Sequence, residues 1–122
     1  MILADANIWI DFFRSREPGL RKLLEQGQVV MHPCLVAELA LGSLHNRPVT
    51  LAELDQMPQA PVVDLREIRR MIEARALYSK GIGLTDAHLV ASCLITPETQ
   101  LWTRDSALRS VARAVGIDAG LP

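Results

Sequence analysis

The sequence has almost no net charge, few cysteines and no long apolar run, and each absence excludes a class of protein. Thirteen basic and fourteen acidic side chains give a formal net charge of -1, so the total charge does not indicate non-specific binding to nucleic acid or to an anionic membrane. No apolar stretch approaches the roughly 20 residues that span a bilayer. The first residues contain neither the basic segment nor the cleavage site of a signal peptide. We therefore expect a cytoplasmic protein that does not bind membranes.

The two cysteines, Cys34 and Cys93, are expected to be buried free thiols. Both lie in apolar helical contexts and match no zinc-binding spacing. Thiols of this kind stay unpaired in a reducing compartment. The sequence therefore predicts no disulfide.

The length and composition indicate one globular domain. The chain has 122 residues, of which 49% are hydrophobic and 22% are charged, which is enough apolar material for a core and argues against a disordered chain. No internal repeat, low-complexity tract or linker interrupts it. We predict a single domain over residues 1–122, so any active site lies within one core or at an interface between subunits.

Short β-rich segments alternate with helical patterns along the chain. Two capping patterns, Thr50 with Glu53 and Asp64 with Glu67, predict helix starts. The alternation predicts an α/β fold, a three-layer α/β/α domain with a central, mostly parallel sheet, in which ligands bind beyond the carboxyl ends of the strands. The predicted strands are 2–4, 28–31, 61–64, 100–103 and, more weakly, 116–118, and the predicted helices are 7–14, 18–26, one opened by Pro33, one from Thr50, 65–79, 85–95 and 105–116.

Four acidic residues lie in apolar surroundings, where a carboxylate needs a partner. Asp5 ends the first strand, Asp105 follows "LWT", Asp86 begins a helix, and Glu38 lies on a core-facing stripe inside "LVAELAL". The carboxyl ends of parallel strands meet at one edge of a sheet, where the helix of Asp86 can also begin. Four ionised carboxylates there would repel one another unless a hard divalent cation neutralised them, and oxygen ligands favour Mg²⁺ or Mn²⁺ over Zn²⁺.

Each of these acids also has an ordinary structural explanation. Asp105 before "SALRSVA" is a typical N-cap, Asp86 suits the first turn of a helix, and Asp5 can begin an Asx-turn. Glu38 would need a buried ion pair with a distant arginine. For any single acid, the ordinary explanation is about as good as a role in a metal site, or better. Four acids at compatible positions, taken together, favour the metal site. Asp11, in contrast, has an arginine three residues later and needs no metal.

Four segments, "ILADANIWID", "HPCLVAELALGSL", "GIGLTDAHLVAS" and "LWTRDSALRSVA", resemble in order and spacing the four acidic motifs of PIN-domain ribonucleases. The closest likeness is to the VapC toxins of VapBC toxin–antitoxin modules, and it covers essentially the whole chain. The resemblance implies a PIN-like fold and a Mg²⁺-dependent endoribonuclease, with Mn²⁺ as an alternative ion, that hydrolyses RNA phosphodiester bonds. It also implies a homodimer and a cognate antitoxin whose C-terminal segment lies across the acidic pocket.

Matched by position, the resemblance makes Asp5 and Asp86 the first-ranked metal ligands. Glu38 and Asp105 match the remaining catalytic acids. Which carboxylates bind the metal directly differs within the family, so all four are candidate catalytic residues.

Three further residues are interpreted through the same resemblance. Asn7 matches the polar residue that helps to order the site two positions after the first acid, and Thr103 matches the hydroxyl residue that accompanies the last acid. His88 stands where an aliphatic residue is commonest, and we expect it to be structural. Asn7 and Thr103 are therefore predicted to support the site.

A local basic patch would compensate for the weak net charge, because phosphate contacts normally come from Lys and Arg. Five arginines lie in predicted loops or helix starts that could rim the pocket, although each could equally be a surface residue: Arg14, Arg16, Arg47, Arg104 and Arg109.

Two other functions remain open at this point. A phosphoacceptor signalling domain of the receiver type is also α/β/α and binds Mg²⁺, but it needs an acidic pair after its first strand, an Asp at the end of its third strand and a late Lys. Here the third predicted strand ends at Asp64, and the last lysine is Lys80. A catalytically inactive PIN-like binding module is the other alternative, and retention of all four acids argues against it.

Overall fold

The computed structural model describes residues 1–122 and contains three short strands and seven helices. In chain order they are β1 (Ile2–Ala4), α1 (Ala6–Phe13), α2 (Pro18–Glu25), β2 (Val29–Val30), α3 (Pro33–Ala40), α4 (Arg47–Gln56), α5 (Leu65–Ala74), α6 (Leu84–Ile95), β3 (Gln100–Trp102) and α7 (Ser106–Val115). None of the helices is long and apolar enough to cross a membrane.

The sheet is entirely parallel, and β1 lies in its centre. Strand β1 pairs with β2 on one side, where Leu3 faces Val30, and with β3 on the other, where Leu3 faces Leu101. Leu3 and Leu101 are fully buried, as expected for a sheet covered on both faces. The predicted three-layer α/β/α architecture is confirmed.

Two helices begin as their capping residues predict. The Asp64 carboxylate accepts the Glu67 N–H at 3.0 Å at the start of α5, and the Asp105 carboxylate accepts the Leu108 N–H at 2.8 Å at the start of α7. Gly116 ends α7 in the left-handed conformation, with φ of 82°. The local sequence is therefore sufficient to position these helix ends.

Two of the predicted helix boundaries are wrong. Helix α5 ends at Ala74 and not at residue 79, because the chain turns through a positive φ at Ala76 and buries Leu77 in the core. Helix α4 begins at Arg47, before the predicted start at Thr50. The Thr50 hydroxyl donates to the His45 carbonyl at 2.8 Å and so does not cap the helix.

The predicted strands at 61–64 and 116–118 are also absent. The contact with the sheet occurs just before residue 61, where Gln59 forms an isolated bridge with Met31, the residue that follows β2. The Met31 carbonyl accepts the Ala60 N–H at 2.7 Å. Pro61 follows at once and cannot donate a backbone hydrogen bond, so the pairing stops. Near the C-terminus, a single bridge between Leu101 and Asp118 replaces the weak fifth strand.

Candidate active site

The four predicted acids come together at the carboxyl edge of the sheet. Asp5 directly follows β1 and caps α1, and Asp105 follows β3 and caps α7. Asp86 lies in the first turn of α6, and Glu38 projects from α3. Their charges act on one another, because Asp5 and Asp86 contribute to a raised pKa of Glu38, and Asp5 and Asp105 contribute to a raised pKa of Asp86. The four carboxyl groups therefore share one electrostatic environment.

Asp5 is the most firmly held of the four. Only 7% of the residue is exposed. Its Oδ1 accepts the Ala6 N–H at 2.7 Å, and its Oδ2 accepts the Thr103 hydroxyl at 2.8 Å. Its own N–H donates to the Trp102 carbonyl at 2.8 Å. The carboxylate is thus fixed in orientation while each oxygen keeps a further lone pair for another partner.

Thr103 links the first acid to the last. It is fully buried and donates to Asp5, which is 98 positions away in the sequence. The same hydroxyl oxygen accepts the Asp105 N–H at 3.1 Å. One hydroxyl therefore joins the ends of β1 and β3, as a supporting residue of the site would.

Glu38 lies differently from the prediction, because it is exposed and does not face the core. Leu35 and Leu39 form the buried face of α3, and Glu38 lies beside it. Burial of the carboxyl group is nevertheless the main cause of the raised pKa of Glu38, followed by the charges of Asp5 and Asp86. The Glu38 side chain is thus accessible to a ligand and close enough to Asp5 and Asp86 for their charges to act on it.

Asp86 is partly buried and anchored to its own helix. Its Oδ2 accepts the Gly83 N–H at 3.0 Å. Burial raises the pKa of Asp86, the Gly83 N–H lowers it, and the charges of Asp5 and Asp105 raise it again. The net direction of the pKa shift is upward, so the surroundings of Asp86, burial first and the neighbouring acids after it, disfavour its ionised form.

Because burial and the neighbouring acids raise both pKa values, we expect the cation-free protein to become less stable as Glu38 and Asp86 ionise. A carboxyl group whose pKa is raised by folding stabilises the fold below its unfolded pKa, near 4 for these side chains, and this contribution is lost as pH rises through the folded pKa. Asp86→Asn should therefore unfold at higher urea concentration than the wild type at pH 7 in EDTA. The difference should shrink as pH falls toward 4, because the Asp86 carboxyl group of the wild type then takes up a proton and loses its charge.

The matched control for this pH series is Asp64→Asn, at an exposed helix cap outside the cluster. Asn also caps helices well, so this variant should show no gain at pH 7. An Asp86→Asn protein that is less stable than the wild type at pH 7 would contradict the expectation.

Asn7, the other predicted supporting residue, lies exposed in the first turn of α1. Its side chain makes no hydrogen bond within the chain, so nothing in the structure ties it to Asp5. Its role stays a prediction.

A cleft of about 600 Å³ opens between α1, α3 and α4 and reaches the acidic cluster at Glu38. Glu38 is the one member of the four acids that lines it. Apolar and polar side chains both line it, and they come from α1, α3, α4 and the segment that joins α3 to α4. The lining residues are Ile10, Phe13, Arg14, Glu38, Leu39, Gly42, Ser43, Leu44, His45, Asn46, Val49, Thr50 and Glu53.

Arg104 forms ion pairs with two acids outside the cluster, which the sequence pattern did not predict. Its Nη1 lies 2.8 Å from Asp11 Oδ2, and its Nη2 bonds to Glu17. The spacing of Asp11 suggested a pair with Arg14, but Asp11 pairs with Arg104 instead. Glu17, 9% exposed, also accepts the Gly19 N–H at 3.1 Å and so caps α2. The loop that carries Thr103 and Asp105 is therefore tied to α1 and α2.

The other arginines predicted at the pocket rim differ in position. Arg14 lines the cleft, whereas Arg109 donates to the Leu121 carbonyl at 2.6 Å and Arg47 donates to the Gly42 carbonyl at 3.0 Å. Arg16 is exposed. Arg14 is therefore the one of the five that the structure places on the cleft wall.

The fold does not suit a receiver domain. Asp64, the only candidate phosphoacceptor of that type, is an exposed helix cap with no strand before it. The acids that do converge follow β1 and β3 or lie on α3 and α6.

Comparisons with known proteins agree with this geometry. Residues 2–114 match the PIN domain. The chain is 37% identical over 117 residues to Ribonuclease VapC32 of Mycobacterium tuberculosis, from both strain CDC 1551 / Oshkosh and strain H37Rv, and the match covers 96% of this chain and 94% of each relative. The predicted resemblance is confirmed, and the chain belongs to the PIN-domain family as a VapC-like member.

Proposed function

We propose that this protein is a divalent-cation-dependent endoribonuclease and the toxin of a type II toxin–antitoxin pair. The observation that carries the proposal is an acidic cluster without basic partners. The ion pairs of the chain join Arg70 to Glu67, Arg104 to Asp11 and Glu17, and Arg113 to Asp118, so none of them involves a member of the cluster. Carboxylates that converge without compensation are favoured when a cation joins them.

The donor set fits a hard cation, with Mg²⁺ preferred and Mn²⁺ as the alternative. It offers carboxylate oxygens only, which suits these ions. Asp5 and Asp86 would hold the ion, because both are partly or fully withdrawn from solvent and fixed by backbone N–H groups. When bound, such an ion supplies charge neutralisation at a phosphate group and acidifies a water molecule.

The remaining residues would orient the reactants and move protons. Thr103 holds Asp5 in one orientation through its hydroxyl. Glu38, exposed in the cleft wall, would accept the proton of the attacking water at its carboxylate, and burial, the main cause of its raised pKa, favours its action as a base. Asp105 uses Oδ1 to cap α7, which leaves Oδ2 to orient water.

The cleft beside Glu38 is the entry path we propose for the RNA strand. Its volume of about 600 Å³ lies in the range of ligand-binding clefts. Phe13, 38% exposed, offers an aromatic face on which a base could stack, and Arg14 offers a cation for a phosphate. A single-stranded substrate is favoured, since its bases are free to stack on protein side chains.

Similarity supports the assignment of activity and partners. The two relatives are named as ribonucleases, and we extend that activity to this chain and place it in the cytoplasm, where cellular RNA lies. We also propose a homodimer and a cognate antitoxin whose segment covers the acidic pocket. Val49, 59% exposed in the cleft wall, and Leu41, 89% exposed and next in sequence to the lining residue Gly42, provide apolar surface for such a protein partner.

The direct test is digestion of RNA by the purified protein. We expect cleavage with Mg²⁺ or Mn²⁺, loss of cleavage in EDTA, and recovery when either ion is restored in excess. Mapped cut sites would define the sequence or loop that is recognised. Cleavage that EDTA does not affect would contradict cation dependence, and RNA binding without cleavage under all these conditions would support an inactive binding module.

A further inference from the structure

A second cluster of ligand-type side chains lies outside the acidic pocket. His32, Cys34 and His88 each place one ligand atom within 4.8 Å of the others. The two imidazole rings lie 5.8 Å apart between centroids. His32 is fully buried, His88 is 8% exposed, and Cys34 is partly exposed, so the cluster has one side open toward solvent.

Both histidines have a ring nitrogen without a partner. His32 Nε2 and His88 Nδ1 are buried, and neither makes a hydrogen bond. Buried polar atoms normally have partners, because leaving water without a new bond is costly. Burial, together with the nearby His88, lowers the pKa of His32, which favours a neutral ring. Each histidine of a cluster that also contains a thiol therefore has a buried, unsatisfied ring nitrogen, which points to a ligand.

The fold sets these side chains on two packed helices. His32 precedes Pro33 at the start of α3, and its Nδ1 accepts the Cys34 N–H at 3.0 Å. This bond holds the His32 ring against the turn that carries the Cys34 thiol. His88 comes from α6, which packs against α3. The cluster is therefore part of the scaffold and does not depend on a loop.

We propose that His32, Cys34 and His88 form a second cation site, for a borderline-soft ion of the Zn²⁺ class. Two imidazoles and one thiolate are ligands that Zn²⁺ prefers, and a site with three protein ligands leaves the fourth position to water. Hard ions such as Mg²⁺ favour oxygen ligands. The two sites are thus separated by the chemistry of their donors.

Binding has a defined proton balance. The Cys34 thiol releases its proton to solvent as the thiolate joins the ion. His32 can supply a lone pair from Nδ1 if it gives up the Cys34 N–H, or from Nε2 if its proton moves to Nδ1. In either case the first turn of α3 adjusts when the ion binds.

The proposed site adjoins the acidic pocket but does not depend on its activity. Cys34 lies one helical turn before Glu38 on α3, and His88 lies two residues after Asp86 on α6. The charge of Glu38 already reaches the thiol, since burial and then Glu38 raise the pKa of Cys34. A bound ion would lie close to the carboxylates without sharing them.

The test uses Co²⁺ as a spectroscopic substitute for Zn²⁺, added to the reduced, full-length protein. We expect one equivalent of Co²⁺ to give a thiolate-to-cobalt charge-transfer band and tetrahedral visible bands, both removed by Zn²⁺ and unaffected by excess Mg²⁺. Cys34→Ser should lose the charge-transfer band, and His88→Gln should weaken Co²⁺ binding at least about tenfold. Cys93→Ala removes the only other thiol and should keep the band, as should Asp86→Asn in the acidic pocket.

A second measurement uses only the wild type, so its result does not depend on whether the variants fold. Zn²⁺, but not Mg²⁺, should slow alkylation of Cys34 by iodoacetamide, whereas Cys93 is buried with its pKa raised to about 12 and should be unreactive throughout. The proposal is overturned if Co²⁺ gives no thiolate band, if the band persists in Cys34→Ser, or if Zn²⁺ leaves alkylation unchanged. Loss of the band in Asp86→Asn as well as in Cys34→Ser would show that the ion needs a carboxylate of the acidic pocket, and would overturn a separate second site. RNA cleavage enters none of these outcomes, so this proposal and the proposed nuclease activity can fail separately.

Discussion

Replacing Asp5 with Asn is expected to lower cation-dependent RNA cleavage by about 10³-fold or more while the fold stays intact. The substitution removes a charge at the best-ordered position of the cluster but hardly changes size. Asn Oδ1 can still accept the Ala6 N–H. The new amide N–H can donate to the Thr103 hydroxyl oxygen, which then accepts where it donated before. The substitution therefore weakens cation binding. A 10³-fold lower cleavage rate corresponds to a loss of about 4 kcal/mol of transition-state stabilisation.

Single-turnover cleavage of a labelled RNA would measure this loss. Asp55→Asn is the matched control, because Asp55 is an exposed aspartate on α4 outside the cluster. The control should cleave at the wild-type rate. Mg²⁺ or Mn²⁺ should raise the thermal midpoint of the wild type and of Asp55→Asn, but much less that of Asp5→Asn. A folded Asp5→Asn protein with an unchanged rate would refute the role we assign to this residue.

Arg104→Ala is expected to destabilise the protein by about 2 kcal/mol. The substitution leaves the Glu17 side chain, 10% exposed, without its cation, and removing one partner of a buried pair costs about 3–5 kcal/mol. The Arg104 side chain is itself 35% exposed, so water reduces this cost. The guanidinium also lies over the Trp102 ring, 5.7 Å from its centroid, and that contact is lost as well.

Urea unfolding of Arg104→Ala and Arg113→Ala would test this expectation. Arg113 pairs with Asp118, but its side chain is 66% exposed, and exposed pairs contribute less than about 1 kcal/mol. Cleavage should fall in Arg104→Ala as well, because Thr103 and Asp105 flank the replaced residue. Equal destabilisation by the two variants would show that the Arg104 network contributes no more than an ordinary surface pair.

The acidic cluster could be predicted from sequence because its members are tied to local signals. Asp5 and Asp105 follow apolar strand segments, and each caps the next helix. A parallel sheet then brings the two strand ends together by geometry alone. At Asp105 the capping role is compatible with the proposed catalytic one, because one carboxylate oxygen caps α7 and the other makes no hydrogen bond within the chain.

Features that depend on distant neighbours were not predictable in the same way. The spacing of Asp11 suggested a pair within its own helix, but its partner is Arg104, 93 positions away. Helical periodicity suggested a core-facing Glu38, but it does not show where neighbouring helices leave a cleft open. His32 and His88 likewise carry no joint signal in sequence, because only the packing of α3 against α6 brings them together.

The place of β1 in the sheet has a consequence for how the protein folds as it is made. The central strand comes from residues 2–4, while one of its two neighbours comes from residues 100–102. Contacts between such distant segments form slowly, and a chain is synthesised from its N-terminus. Asp5 therefore exists through most of synthesis without Thr103 or Asp105. A nascent chain that ends before β3 would lack one of the two strands that pair with β1, the Thr103 hydroxyl that orients Asp5, and Asp105, so we expect the proposed RNA-cleaving activity only when synthesis is nearly finished.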